Sequence, residues 1–181
     1  MGNMTTMIRL GAVTTMVLLA VLAGCGNNPG GGSVRNQHQT LQQRPDIEQI
    51  TASYEQMRTQ IRQRLSAEVG PLQWTEEFGV DTRGCGFDFQ EVEGTTSRSL
   101  ATWVSKGNLP DDRWDQAVRI IAEITDRYGF AEPRVIVNRP SDHEIRVSDP
   151  YGGELIFGTA VNTILALNTG CHLAPEAHQG S

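Results

Sequence analysis

The sequence predicts an α+β fold, one mostly antiparallel sheet with two helices packed on it and one disulfide. Three observations carry that prediction. Apolar residues recur every three or four positions over residues 47–69 and again over 112–128. Each of these stretches is followed by short extended patterns cut by glycine and proline. The resulting order (helix, strands, helix, strands) lacks the regular βαβ alternation of a parallel sheet.

The first helix is expected over residues 47–69. Asp46 followed by Gln49 has the spacing of a capping box, and Pro45 lies just outside it. Ile47, Ile50, Tyr54, Met57, Ile61, Leu65 and Val69 form one apolar stripe, while Glu55, Arg58, Arg62 and Arg64 lie mainly off it. Gly70-Pro71 ends the helix. Extended segments are then expected at residues 72–78 with Trp74, at 85–93 with Phe87 and Phe89 alternating, and at 98–104 with Trp103. Gly79, Gly84 and Gly86 supply turns.

The second helix is expected over residues 112–128. Asp111, Asp112 and Asp115 put negative charge at its N-terminal dipole, and Gly129 suits the position after its end. Trp114, Ala117, Val118, Ile121, Ile124 and Tyr128 make its buried stripe. Short strands follow at 135–137, around Ile145 and Val147, and at 155–157, with turns at Pro140-Ser141-Asp142 and Asp149-Pro150-Tyr151-Gly152-Gly153. Residues 164–167 are apolar on both parities and read as a central strand covered on both faces.

The N-terminus carries an address. Arg9 precedes an apolar run over residues 10–22, about 13 residues where a bilayer core needs roughly 20. Leu22-Ala23-Gly24-Cys25 then reads as a lipobox, in which Cys25 becomes the lipidated first residue. Met1-Gly2 with Thr6 matches a myristoylation pattern, which an export signal directly behind it makes irrelevant. Palmitate-type chains on Cys25 would anchor the protein through about 0.8 kcal/mol per buried methylene, with no spanning helix. The expected organisation is a signal peptide over 1–24, the lipidated cysteine and a flexible Gly/Asn/Gln-rich linker over 25–45, one envelope domain over 46–174, and a frayed tail over 175–181. The expected location is the cell membrane, on its extracytoplasmic face.

Composition narrows the partners. Lys+Arg 15 against Asp+Glu 21 gives a net charge of −6, and losing Arg9 with the signal makes it −7. An acidic surface argues against nucleic acid and against charge-driven binding to anionic headgroups. With Cys25 taken by lipid, Cys85 and Cys171 remain in an oxidising compartment and most simply pair. On the chain-entropy model that loop contributes about 4–5 kcal/mol.

The layout resembles the LppA-type lipoproteins of mycobacteria. The likeness runs from Tyr54 to Leu173 and rests on the arginine-bearing first helix, Trp74, and Cys85 after Asp81-Thr82-Arg83-Gly84. It continues through the helix from Trp114 to Tyr128-Gly129, Gly152-Gly153-Glu154 and Asn168-Thr169-Gly170-Cys171. This chain differs in lacking a long proline-rich tail. The resemblance implies a cell-envelope location, a lipid anchor and one disulfide, and it implies no activity.

No catalytic or metal-binding motif is present: HExxH, GxSxG, a P-loop and GxGxxG are all absent. No cofactor is expected. His38 falls in the linker and His178 in the tail. His143 beside Asp142 is the first suspect for a base, although adjacent side chains generally point apart and an exposed turn is the plainer expectation. His172, after Cys171, is the second. Three functional classes follow: a lipid-anchored binding module recognising an envelope protein, glycan or lipid; an accessory component of a membrane complex; and, least favoured, a hydrolase. The expectation is a non-enzymatic binder.

Overall fold

The computed structural model describes residues 33–179, so the signal segment and Cys25 lie outside the described residues. The element order is α1 Val34–Gln42, α2 Ile47–Glu68, β1 Trp74–Glu77, β2 Asp81–Arg83, β3 Thr95–Ser99, β4 Thr102–Lys106 and α3 Asp111–Asp126. It continues with β5 Arg134–Arg139, β6 Asp142–Ser148, β7 Glu154–Thr159, β8 Asn162–Asn168, β9 His172–Leu173 and α4 Pro175–Gln179. The fold is α+β with an antiparallel sheet, as the pattern predicts. The sheet runs β1-β4-β8-β7-β6-β5, with β2 and β9 joined through β3.

α2 starts where its sequence says it should. Asp46 Oδ1 accepts from the backbone N–H of Glu48 and Gln49, both at 2.9 Å, and Gln49 Oε1 accepts from Asp46 N–H at 3.1 Å. Its stripe packs with that of α3 onto one face of the sheet. There Ile145, Val147, Leu155, Phe157, Leu165 and Leu167 are all buried. The strands from β6 to β8 keep a strict register, with Ile145 opposite Phe157 and Phe157 opposite Leu165, so each inward residue meets another. β8 is central, but its outward residues Ile164 and Ala166 are only half-buried. The expected cover on both faces is therefore provided on one.

Four further expectations are corrected. The linker expected to be flexible through residue 45 instead holds α1, because Leu41 is fully buried against Val92 and Leu173 in a second small core. The tail expected to fray is helical through Gln179. Ala177 packs on the same core and His178 Nε2 donates to Arg44 O at 2.9 Å. Residues 85–93 form no strand. Phe87 is 92% exposed, and half-buried Phe89 packs with buried Val92, three apart in successive turns rather than two apart in a strand. Finally, the strand expected over 98–104 is broken between β3 and β4 at Leu100-Ala101. Its partner breaks beside it, where Phe78 has φ 52° and separates β1 from β2. Arg58, on α2, reaches into this gap and donates to Ala101 O at 2.5 Å.

Candidate functional site

The sequence singled out Cys25, the cysteine pair and two histidines. Cys25 lies outside the described residues. Cys85 and Cys171 form a disulfide with Cα atoms 5.7 Å apart, closing a separation of 86 residues. It ties the long β2–β3 connection to the segment entering β9.

His172 is fully buried, and its surroundings form a polar knot at this end of the sheet. Its Nδ1–H donates to Pro45 O at 2.8 Å, while Nε2 has no hydrogen-bond partner. Burial lowers its pKa and Arg44 adds to that, against the Pro45 bond and the carboxylates of Asp149 and Asp46. Beside it, Arg44 donates to Tyr151 O at 3.1 Å and to Cys171 O at 2.8 Å, and lies 4.9 Å from the centroid of the Phe89 ring. Tyr54 O–H donates to Asp149 Oδ2 at 2.5 Å. Asp149 Oδ1 accepts from the N–H groups of Tyr151 and Gly153 at 2.8 and 2.5 Å, which shapes the β6–β7 turn. The turn presses on the end of β8: a Cβ on Gly170 would stand 2.1 Å from Tyr151 O, and one on Gly153 2.6 Å from Asn168 O. These bonds tie α2, the β6–β7 turn and the segment entering β9 to one another, so the knot is a structural joint.

His143 sits at the opposite end of the sheet and corrects the expectation of an exposed turn. It is 7% exposed on β6, stacked 4.9 Å from Trp114, which in turn stacks on Phe157. Asp142, its neighbour in sequence, points elsewhere and pairs with Arg139. The partners of His143 are Asn138 Oδ1 at 2.9 Å and Asp111 Oδ1 at 3.1 Å. Asp111 also accepts from Ser141 N–H, and these two bonds hold its pKa below the usual carboxylate range, the Ser141 bond contributing most. Both imidazole nitrogens are thus committed to structural partners.

Next to this cluster lies the most chemically distinctive recess, which sequence reasoning missed. It is a half-enclosed hollow of about 290 Å³ between the end of α2, the end of β4 and the start of α3. Leu109, Val69 and Ser105 are buried in its floor at 1%, 5% and 2% exposure. Lys106 and Arg113 line it from exposed positions, and neither has a hydrogen-bond or ion-pair partner through its side chain. Arg35 and Arg119 likewise have no side-chain partner, but neither lines this recess. Arg64, Arg98, Arg139 and Arg146 are all matched to carboxylates. The loop between the two cations is held rigidly. Leu109 N–H donates to Thr159 Oγ1 at 2.7 Å, and Thr163 Oγ1 donates to Gly107 O at 3.1 Å. Asn108 Nδ2 donates to Ser141 O and Ala160 O, both at 2.8 Å.

Other concave surfaces are less pointed. A broader hollow of about 830 Å³ beside α1 mixes Arg35 and His38 with Glu91, Glu93 and Glu176, so it presents no single sign of charge. A third, of about 340 Å³, is lined by Thr59, Arg62, Gln63, Ser66 and Trp74. There Arg62 covers the Trp103 ring at 3.4 Å and the fully buried Arg58 pairs with Glu55 at 3.2 Å. Among the described residues no cluster of histidine, cysteine and carboxylate side chains has the arrangement to hold a metal. No described helix is long and apolar enough to cross a membrane.

Two solved structures share the fold. Lipoprotein LppA from Mycobacterium tuberculosis matches with a TM-score of 0.68 at 13% identity, over 82% of this chain and 89% of that one. A DUF4853 family protein from Actinomyces odontolyticus matches with a TM-score of 0.53 at 18% identity, over 75% and 76% of the two chains. No curated protein sequence matches. The LppA family model, described as a lipoprotein confined to pathogenic Mycobacterium, matches residues 24–175. Its span takes in Cys25, both joined cysteines and the knot around Asp149, and the chain accordingly belongs to the LppA family of lipoproteins.

Proposed function

We propose that the protein is a lipid-anchored binding module of the cell envelope, held on the extracytoplasmic face by acyl chains on Cys25. In this reading its ligand recess stands at the end of the domain away from the tether. The observation that carries the proposal is the recess between Lys106 and Arg113, with its apolar floor, rigid loop and two unpaired cations. Small-molecule sites are typically concave, mostly apolar and equipped with a few placed polar groups. The position supports the reading as well. The N-terminal segment enters at α1, beside the disulfide, whereas the recess lies past the far end of α2. That helix has 22 residues and spans about 33 Å at 1.5 Å per residue.

The same reading makes the protein a binder rather than an enzyme. A general base needs a free nitrogen near a substrate; both ring nitrogens of His143 are hydrogen-bonded, and the one free nitrogen of His172, Nε2, is fully buried.

A photocrosslinker tests the proposal in the native envelope. Gly70 lines the recess, and a side chain there meets nothing within 4 Å; Gly86 is equally open and lies elsewhere. With p-benzoylphenylalanine at Gly70, adducts of one defined mass are expected, absent when the probe sits at Gly86. The same adducts at both sites, or none at Gly70, would refute the site.

A further inference from the structure

We infer that the recess selects a compact anion carried on an apolar body, with a carboxylate or phosphate head seated between Lys106 and Arg113. The inference rests on the binding-module reading and gives it a ligand class. The chain carries a single lysine, and the fold places it on the recess rim with Arg113, also unpaired, on the same rim. In a protein of net charge −6, the lining of this hollow holds two unmatched cations and no acidic residue. Asp111, in the first turn of α3, is bonded to Ser141 N–H and His143 and pairs with neither cation. Asp112, in the same first turn of α3, is exposed and pairs with neither cation.

The floor sets the other half of the ligand. Leu109 and Val69 are buried there, and Ser105 Oγ already accepts from Gln73 N–H at 3.1 Å. Leu109 N–H is taken by Thr159. The floor thus offers apolar contact from Leu109 and Val69 beside polar groups that already have partners in Gln73 and Thr159, which suits a ring or short chain. A hollow of about 290 Å³ sits at the small end of ligand sites, roughly 300–1,000 Å³. An exposed charge pair contributes up to about 1 kcal/mol, so each cation is worth about fivefold in affinity.

The test uses the full lipoprotein in nanodiscs and ¹⁹F NMR of three probes: 4-fluorobenzoate, neutral 4-fluorobenzyl alcohol, and inorganic phosphate as a competitor. Empty nanodiscs supply the baseline. Fluorobenzoate is expected to bind at least tenfold more tightly than the alcohol, and phosphate to compete only weakly. Lys106→Gln and Arg113→Gln should each weaken fluorobenzoate about fivefold, and the double variant should erase the preference for the acid. Neither substitution touches the core, and an unchanged melting temperature confirms folding. Equal binding of acid and alcohol to the unmodified protein would overturn the anion class while leaving a binding recess standing. Phosphate as potent as fluorobenzoate would overturn the apolar half. Acid binding undiminished in the double variant, or no binding of either aryl probe, would overturn the inference; Gly70 crosslinking then decides separately whether the recess binds anything.

Discussion

Replacing Tyr54 with phenylalanine isolates one bond at the joint where α2 meets the β6–β7 turn. Tyr54 is 1% exposed and its hydroxyl is the donor to Asp149 Oδ2, while the other oxygen, Oδ1, receives the two turn N–H groups. Phenylalanine keeps the ring and its edge contact with Phe130, with centroids 5.1 Å apart, so the packing change is small. What is lost is a hydrogen bond to a buried carboxylate, worth about 1.5–3 kcal/mol. In a domain of this size that corresponds to a fall in melting temperature of about 3–12 °C. Urea denaturation monitored by tryptophan fluorescence measures it, with the slope against urea expected to stay constant. Tyr128→Phe is the comparison. Its hydroxyl accepts from half-buried Gln60 at 2.8 Å, and the loss should stay within about 1 kcal/mol. If Tyr54→Phe is also within about 0.5 kcal/mol of the parent, the Asp149 joint is not a stability element and the reasoning fails. A cycle with Asp149→Asn should show strong coupling, because the two changes remove one interaction.

Other outcomes follow from the same joint and from the anchor. Cys85→Ser, Cys171→Ser and the double variant should lose nearly the same stability, up to about 4–5 kcal/mol, in calorimetry; additive losses would argue against a shared bond. Gly170→Ala forces a methyl group onto Tyr151 O and should cost about 1–3 kcal/mol or more, read as a drop in the urea midpoint. The buried His172 has its pKa lowered below the unfolded value of about 6.5, so the unfolded chain binds the proton first. Stability should therefore be complete above that value and fall as pH drops through it, by at most about 1.4 kcal/mol per pH unit, and a His172→Gln variant should show a flatter slope in the same titration. Cys25→Ala should move the protein from the membrane to the soluble fraction of fractionated cells; retention in the membrane would refute the lipid anchor.

Much of this architecture was legible because local signals and tertiary contacts agree. The Asp46–Gln49 box and the stripe from Ile47 to Leu65 locate α2 to within a residue. The turns at Pro140-Ser141 and at Asp149–Gly153 bound β6 on both sides. The failures share a cause. α1 has one fully buried residue, Leu41, whose partners Val92 and Leu173 are distant in sequence, so no periodicity announces it. Phe87 and Phe89 alternate as a strand would, yet Phe89 N–H donates to Gly86 O and Val92 N–H to Phe89 O in successive turns that pack half-buried Phe89 with Val92. His143 was misjudged through its neighbour Asp142. Parity was the usable signal, since His143, Ile145 and Val147 share the inward face of β6. The recess had a signal too, in the lone lysine, although no sequence pattern brings Lys106 beside Arg113 and Leu109.

Several of the positions that carry the family resemblance meet in one structural joint. Tyr54 grips Asp149, Gly152 and Gly153 complete the turn that Asp149 shapes, and Thr169-Gly170-Cys171 receives that turn and the disulfide. These residues converge on one end of the sheet, where their bonds are mutual and leave little side-chain capacity for a ligand. The other end is built differently. Asn108, Thr159 and Thr163 satisfy the backbone of the β4–α3 loop, which frees the Lys106 and Arg113 side chains from any structural duty. A loop whose own hydrogen bonds are complete can change its exposed side chains without unfolding, whereas the Asp149 joint cannot change Tyr54 or Gly170 without loss. The fold thus concentrates mutual side-chain bonds at the Asp149 end of the sheet and leaves the Lys106 and Arg113 side chains unpaired at the other. Substitutions at the first should register as stability and those at the second as ligand preference.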